Sequence, residues 1–211
     1  MGMKIAVCIS GRGRNLKAIL EMAKHNQALI QVACVISDKS DAPGLLFAKE
    51  FSIPTVIIER HKGIKSKAQF NTELSQALKV YNVDYVVLAG FMQVLSSSFI
   101  STYESQILNI HPSLLPSFKG LHPQQQAIDA RVKTSGCTVH IVTEEVDAGP
   151  ILTQATVPVL KDDSVETLSM RILEAELKLY PATLLGLATG QISIKRTKEG
   201  CFVVIDPSFK V

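Results

Sequence analysis

Asn109 and His111 flank Ile110 at the end of an apolar run, and strand alternation puts both side chains on one side of the backbone. An amide donor beside an imidazole suits stabilisation of a developing oxyanion together with movement of a proton, while Pro112 and Pro116 stiffen the turn that follows. The same two residues would also serve as a hydrogen-bonded polar pair closing a strand. Farther along, Glu144, Glu145 and Asp147 crowd a loop ending in Ala148-Gly149-Pro150. Any of the three could pair with His111, orient its ring and favour its charged form, or simply face solvent. His25, His61, His122 and His140 lack metal-ligand spacing such as a His pair at i and i+4 on a helix, so no metal is expected. His122 falls beside the proline turn, and His140, on a strand, reads as a structural histidine.

Near the amino end, Ser10-Gly11-Arg12-Gly13 separates an apolar run from residues with helical periodicity. Backbone N–H groups and the positive helix end would converge there, with charge added by Arg12 and Arg14, which makes an anion site, best suited to phosphate. The alternative is a plain tight turn with Asn15 as N-cap. A dinucleotide fingerprint does not fit, because its third glycine would fall at Leu16, and no Gly-Lys-Ser/Thr follows to make a Walker loop.

These groups need a scaffold to aim them. Lys4 to Ile9 reads as a strand, and Leu16, Ile19, Leu20 and Ala23 mark one face of a helix. Ile30 to Ile36 and Thr55 to Ile58 are further β-rich runs, Phe70 to Tyr81 has helical spacing, and Tyr85 to Ala89 reads as a strand buried on both faces. Ile107 to His111, Thr138 to Val142 and Ile151 to Val159 continue the strands. Asp163 with Glu166 resembles a capping box for a helix from Ser164 to Tyr180, which Pro181 terminates or kinks. Ile192 to Ile194 and Phe202 to Ile205 suit a terminal hairpin. The expected fold is α/β, a Rossmann-like, mainly parallel sheet flanked by helices with an antiparallel strand in the C-terminal half. No repeat, charge block or linker appears, so residues 1–211 are expected to form a single domain with two structural halves, about 1–105 and about 106–211.

Composition agrees with an ordinary globular chain: 211 residues, 46% hydrophobic and 19% charged, which excludes disordered and collagen-like classes. A net charge of +3 is too small to indicate a nucleic-acid surface, while small anionic substrates remain open. The longest apolar stretch, Val86 to Met92, is far short of the roughly 20 residues that span a bilayer. No membrane partner is expected, and no targeting segment is evident, so a cytoplasmic location is expected, with Met1-Gly2 reading as a possible appendage before the first strand. Cys8, Cys34, Cys137 and Cys201 are widely spaced among apolar neighbours and read as reduced, largely buried thiols.

Leu108 to Pro116 (LNIHPSLLP), Ala89 to Met92 (AGFM), Asp147 to Ile151 (DAGPI) and Ile9 to Leu16 (ISGRGRNL) resemble the 10-formyltetrahydrofolate formyltransferase family, from Lys4 to about Gly190. The resemblance is nearest to the branch that formylates the amine of glycinamide ribonucleotide in purine synthesis. Length is expected to separate the chain from relatives with a C-terminal tRNA-binding domain or an N-terminal regulatory domain. The resemblance implies 10-formyltetrahydrofolate as co-substrate, and Asn109, His111 and Asp147 as catalytic residues. It implies Gly11, Arg12, Gly13, Arg14, Asn15 and Lys67 around the ribonucleotide, with Glu176 at its glycinamide end. Met92, Gln93, Val94, Leu95, Val142, Glu144, Glu145 and Asp147 would flank the folate. Arg14 stands where the family usually has Ser or Thr, Gln93 where Arg is common, Leu173 where a polar residue is usual, and Lys67 where an Arg often sits. A folate held mostly by backbone groups makes Gln93→Ala an expected mild change. Partners are expected to be small molecules only, and the protein a monomer or weak homodimer. Formyl transfer to another amine, such as an amino sugar, and a non-catalytic folate- or nucleotide-binding module are the alternatives.

Overall fold

In a computed structural model describing residues 2–60, 65–197 and 200–211, the first apolar run forms β1 (Met3–Ile9), with Ile5 to Ile9 wholly buried. The helix α1 (Arg14–His25) buries Leu16, Ile19, Leu20 and Ala23, the face set by their spacing. Then follow β2 (Ile30–Ser37), α2 (Leu45–Glu50), β3 (Thr55–Ile57), α3 (Lys67–Tyr81), β4 (Tyr85–Leu88), α4 (Ser97–Thr102) and β5 (Ile107–His111). After these come α5 (Pro123–Asp129), β6 (Thr134–Ile141), β7 (Ile151–Pro158), α6 (Val165–Thr189), β8 (Ile192–Thr197) and β9 (Gly200–Ile205). His61 and Met1 lie outside the described residues.

The main sheet has seven strands in the order β3-β2-β1-β4-β5-β6-β7. β1 runs parallel to β2 and β4, and β2 parallel to β3, whereas β6 and β7 are antiparallel. Parallel strands are covered on both faces, which is why β1 and β4 are continuous apolar runs and not alternating ones. β8 and β9 form a separate antiparallel hairpin. Backbone contacts divide the chain into two compact units, Met1–Leu108 and Asn109–Val211.

Four local expectations need correction. Asn15 is not the N-cap of α1; Gly13 is, in the left-handed conformation at φ 69°, and Asn15 is a buried residue of the first turn. The box opening α6 uses Ser164 and Thr167, while Asp163 instead receives both Arg171 guanidinium nitrogens at 2.7 and 2.9 Å, which holds its carboxyl well below the usual range. Helix α6 does not end at Pro181, although proline deletes one intrahelical bond. Burial of Leu179, Tyr180, Thr183 and Leu184 carries the helix through to Thr189. Cys8, Cys34 and Cys137 are buried as expected, but Cys201 is only partly covered. Burial pushes the Cys34 and Cys137 thiols up to about 12, assisted at Cys137 by the Glu176 carboxylate.

Candidate functional site

In the second unit, β5 stops at His111 because Pro112 follows it. A buried network then fixes the turn: Thr138 Oγ1 donates to the Ser113 carbonyl at 2.7 Å and accepts from the Leu115 N–H at 3.0 Å. Gln154 Nε2 adds bonds to Thr138 Oγ1 and to the Leu115 carbonyl, each at 2.9 Å. The turn therefore delivers the Phe118 carbonyl to a defined point, where it accepts from His111 Nε2 at 2.9 Å.

The other His111 nitrogen, Nδ1, is 3.3 Å from Asp147 Oδ2. That same oxygen accepts from the Gly120 N–H at 2.9 Å. Asp147 sits in the left-handed region at φ 51°, and its loop is pinned by Gly149, where an added Cβ would come within 1.9 Å of the Ile141 carbonyl oxygen. The Ile141 N–H in turn donates to the Pro150 carbonyl at 2.9 Å, so the loop is stitched to β6 just beyond the carboxylate. Of the three acids in the loop, only Asp147 is turned toward His111; Glu145 pairs with Lys119 at 3.0 Å and, like Glu144, is exposed.

Asn109 is aimed by a residue that the linear pattern set aside. His140, 2% exposed, donates from Nδ1 to the Ile141 carbonyl at 3.0 Å, which leaves Nε2 as the acceptor for Asn109 Nδ2 at 3.3 Å. Burial, the largest influence, holds the His140 pKa below its ordinary value, in keeping with a neutral ring that accepts on one side. His140 is thus hydrogen-bonded, as a structural histidine should be, but its partner is the candidate oxyanion donor. Nothing in local spacing signals this role, because it depends on which strands lie side by side. Asp147 Oδ1, 3.7 Å from His140 Nε2, completes a cluster of Asn109, His111, His140 and Asp147. Val142 is partly covered beyond β6, and Glu176 is buried on α6. His122 caps α5 at φ 57° without a side-chain cap bond.

In the first unit, the glycine turn leads directly from β1 into α1. Gly13 is required twice, by its positive φ and by the Gly44 Cα that an added Cβ would meet at 2.6 Å. Gly44 N–H donates to the Gly11 carbonyl at 3.0 Å, locking the turn. The first turn of α1 carries no acidic residue and no side-chain cap, and Arg12 and Arg14 are exposed beside it. This is an electrostatically favourable place for an anion. Lys67 is the first residue of α3. The Met92–Leu95 segment follows β4, tied to the glycine turn by the Met92 N–H, which donates to Ser10 Oγ at 2.8 Å. Met92 and Val94 are exposed, whereas Leu95 is 6% exposed, its side chain packed inward. The peptide groups of Gln93, Val94 and Leu95 make no hydrogen bond among the described residues, leaving a row of donors and acceptors for a flat polar heterocycle. Among the described residues, no group of three or more His, Cys, Asp or Glu could hold a metal ion, and no helix is long and apolar enough to cross a membrane.

A mainly parallel, Rossmann-like sheet flanked by helices, with polar clusters at its strand ends, places the protein among the α/β folds. Within that class, the chain belongs to the formyl transferase family, which it matches over residues 3–184. It is 40% identical to Escherichia coli (strain K12) phosphoribosylglycinamide formyltransferase over 192 residues, 91% of this chain and 90% of that protein. The trifunctional purine biosynthetic protein adenosine-3 of Bos taurus is 43% identical over 203 residues, 96% of this chain. The chain spans only about a fifth of that relative's length, and a fifth or less of its counterparts in chicken, human and fruit flies. The crystal structure of phosphoribosylglycinamide formyltransferase from Anaplasma phagocytophilum superimposes with a TM-score of 0.88 at 41% identity, covering 100% of this chain and 97% of that one.

Proposed function

We propose that the protein transfers the formyl group of 10-formyltetrahydrofolate to the amine of glycinamide ribonucleotide, giving formylglycinamide ribonucleotide and tetrahydrofolate in de novo purine biosynthesis. The observation that supports this reading is the convergence of Asn109, His111 and Asp147 around His140: Asn109 Nδ2 bonds His140 Nε2 at 3.3 Å, and the Asp147 carboxylate lies 3.3 Å from His111 Nδ1 and 3.7 Å from His140 Nε2. The neutral amine attacks the formyl carbon, and a tetrahedral intermediate forms with negative charge on its oxygen. Collapse breaks the bond to the folate nitrogen, which takes up the proton that the attacking amine gives up.

The chain's own groups divide this work. An amide nitrogen has two hydrogens, and His140 uses one from Asn109, so the other is available to the oxyanion. His111 Nε2 faces Phe118 and Nδ1 faces Asp147, so it gives a hydrogen to the reacting oxygen by sharing or exchanging one of these bonds. Asp147 orients the ring and accepts the proton in passage, directly or through an ordered water.

Gly11 to Asn15 and Lys67 hold the ribonucleotide phosphate end in this reading, and Glu176 meets the glycinamide. Met92 to Leu95, Val142, Glu144, Glu145 and Asp147 flank the folate, mainly through backbone groups. The two units work as a single formyltransferase domain of a cytoplasmic protein, monomeric or weakly dimeric, whose partners are small molecules. Absorbance of the folate is followed with and without glycinamide ribonucleotide. Turnover should require the ribonucleotide; equal turnover without any acceptor, or with an amino sugar in its place, would sink the assignment.

A further inference from the structure

Asp38 directly follows β2 and is 5% exposed. Its Oδ2 accepts from Gln93 Nε2 at 2.7 Å, and its Oδ1 is buried with no hydrogen-bond partner among the described residues. The Gln93 amide is engaged at both ends, because its Oε1 accepts from Arg60 Nη1 at 3.3 Å. Burying a polar group is costly unless it is hydrogen-bonded, and one of the two Asp38 oxygens has no partner among the described residues. Core packing alone would be served better by an apolar pair, so the informative feature is what this bond holds in place.

It holds the stretch after β4. That stretch is fastened to the glycine turn after β1 by Met92 N–H donating to Ser10 Oγ at 2.8 Å, and to α3 by Ser96 N–H donating to Asn71 Oδ1 at 3.1 Å. Asp38 supplies the middle fastening, from β2. Phe91 and Leu95 are buried while Met92 and Val94 face outward, so the segment is extended, and its peptide groups from Gln93 to Leu95 make no hydrogen bond among the described residues. Open backbone groups recognise a ligand well only when their spacing is fixed beforehand.

We propose that Asp38 is a positioning residue that acts through the Gln93 side chain to set the course of Met92–Leu95, the segment that presents backbone groups to the folate. The inference rests on the folate reading given above. Gln93 is then a strut and not a ligand contact, and the mild effect expected of removing its side chain no longer follows.

The test uses Gln93→Glu, which sets two carboxylates against each other, and Gln93→Glu combined with Asp38→Asn, which restores a donor and acceptor with the polarity reversed. Two quantities are read: backbone hydrogen exchange over residues 91–96 in the protein alone, and the KM values for both substrates. Gln93→Glu should speed exchange in that segment and raise the 10-formyltetrahydrofolate KM about tenfold, with the ribonucleotide KM changed by no more than about twofold. The combined variant should recover most of both effects. Unchanged exchange and folate KM in Gln93→Glu, or no recovery in the combined variant, overturns the proposal. If Gln93→Glu does not fold, Gln93→Met, which keeps the length and removes both hydrogen-bonding ends, is read by the same criteria. Tetrahydrofolate binding by the unaltered protein is the control. Its absence defeats the folate reading of the segment, while the exchange data still judge the Asp38–Gln93 bond.

Discussion

At the scale of single residues, the candidate site is a set of constraints on where hydrogens can go. Asp147 Oδ2 accepts from the Gly120 N–H and faces His111 Nδ1, so Asp147→Asn preserves shape while removing the negative charge and the proton acceptor beside the ring. Both substrates should still bind, with single-turnover formyl transfer slowed on the order of a hundredfold, and adding His111→Ala should cost far less than the product of the separate effects. Near-normal transfer in Asp147→Asn would remove the carboxylate from the mechanism. His140 supports a pH prediction. Its folded-state pKa lies below the ordinary 6.5, so above that value both folded and unfolded forms are neutral and no stability is lost. As pH falls below it, the unfolded chain takes up a proton that the buried ring refuses, and stability declines toward the lowered folded pKa. The advantage of the unaltered protein over His140→Gln in urea unfolding should therefore shrink between about pH 8 and pH 5.5; an advantage that grows on acidification would contradict the buried neutral ring.

At the scale of elements, the positions of most strands and helices were legible because burial and periodicity agreed. β1 and β4 read as continuous apolar runs and are buried on both faces, and α1 buries the four residues that its spacing selected. What escaped was decided by contacts distant in sequence. Pro181 reads as a helix stop or kink, and the helix is carried through it by tertiary burial, while α2 and α4, each six residues long, are too short to leave a periodic signature. Asn109, His111 and Asp147 stand out as candidates from residue type and motif, whereas the Asn109–His140 and Asp38–Gln93 bonds form only when distant strands and loops are brought together. The loop carrying Asp147 offers a test of such positioning. A methyl at Gly149 would meet main-chain oxygen, which cannot swing aside as a side chain would, so the Ala148–Pro150 backbone must shift. Gly149→Ala should destabilise the protein by about 1–3 kcal/mol and lower turnover with it. Calorimetry and steady-state rates on one preparation check this, and an unchanged melting temperature would show that the loop yields easily.

At the scale of the whole molecule, the proposed function assigns binding and chemistry to different stretches of the chain, and kinetics can show whether they are energetically separate. The glycine turn and its arginines belong to the first compact unit, and the Asn109, His111 and Asp147 cluster to the second. Arg12 and Arg14 are exposed, so their attraction for a phosphate should weaken as salt rises. Arg14→Ala should raise the ribonucleotide KM more than it lowers saturated turnover, whereas Asp147→Asn should do the reverse. Because one change removes binding common to ground and transition states and the other removes stabilisation of the transition state, their effects on kcat/KM should multiply to within about a factor of two. Strong non-additivity is expected only inside the catalytic cluster. Steady-state measurement of the two single variants and the double variant, repeated at low and high salt, decides the matter. A double variant no worse than Asp147→Asn alone would mean that the arginine binds nothing that survives to the transition state, and the phosphate assignment of the turn would fall.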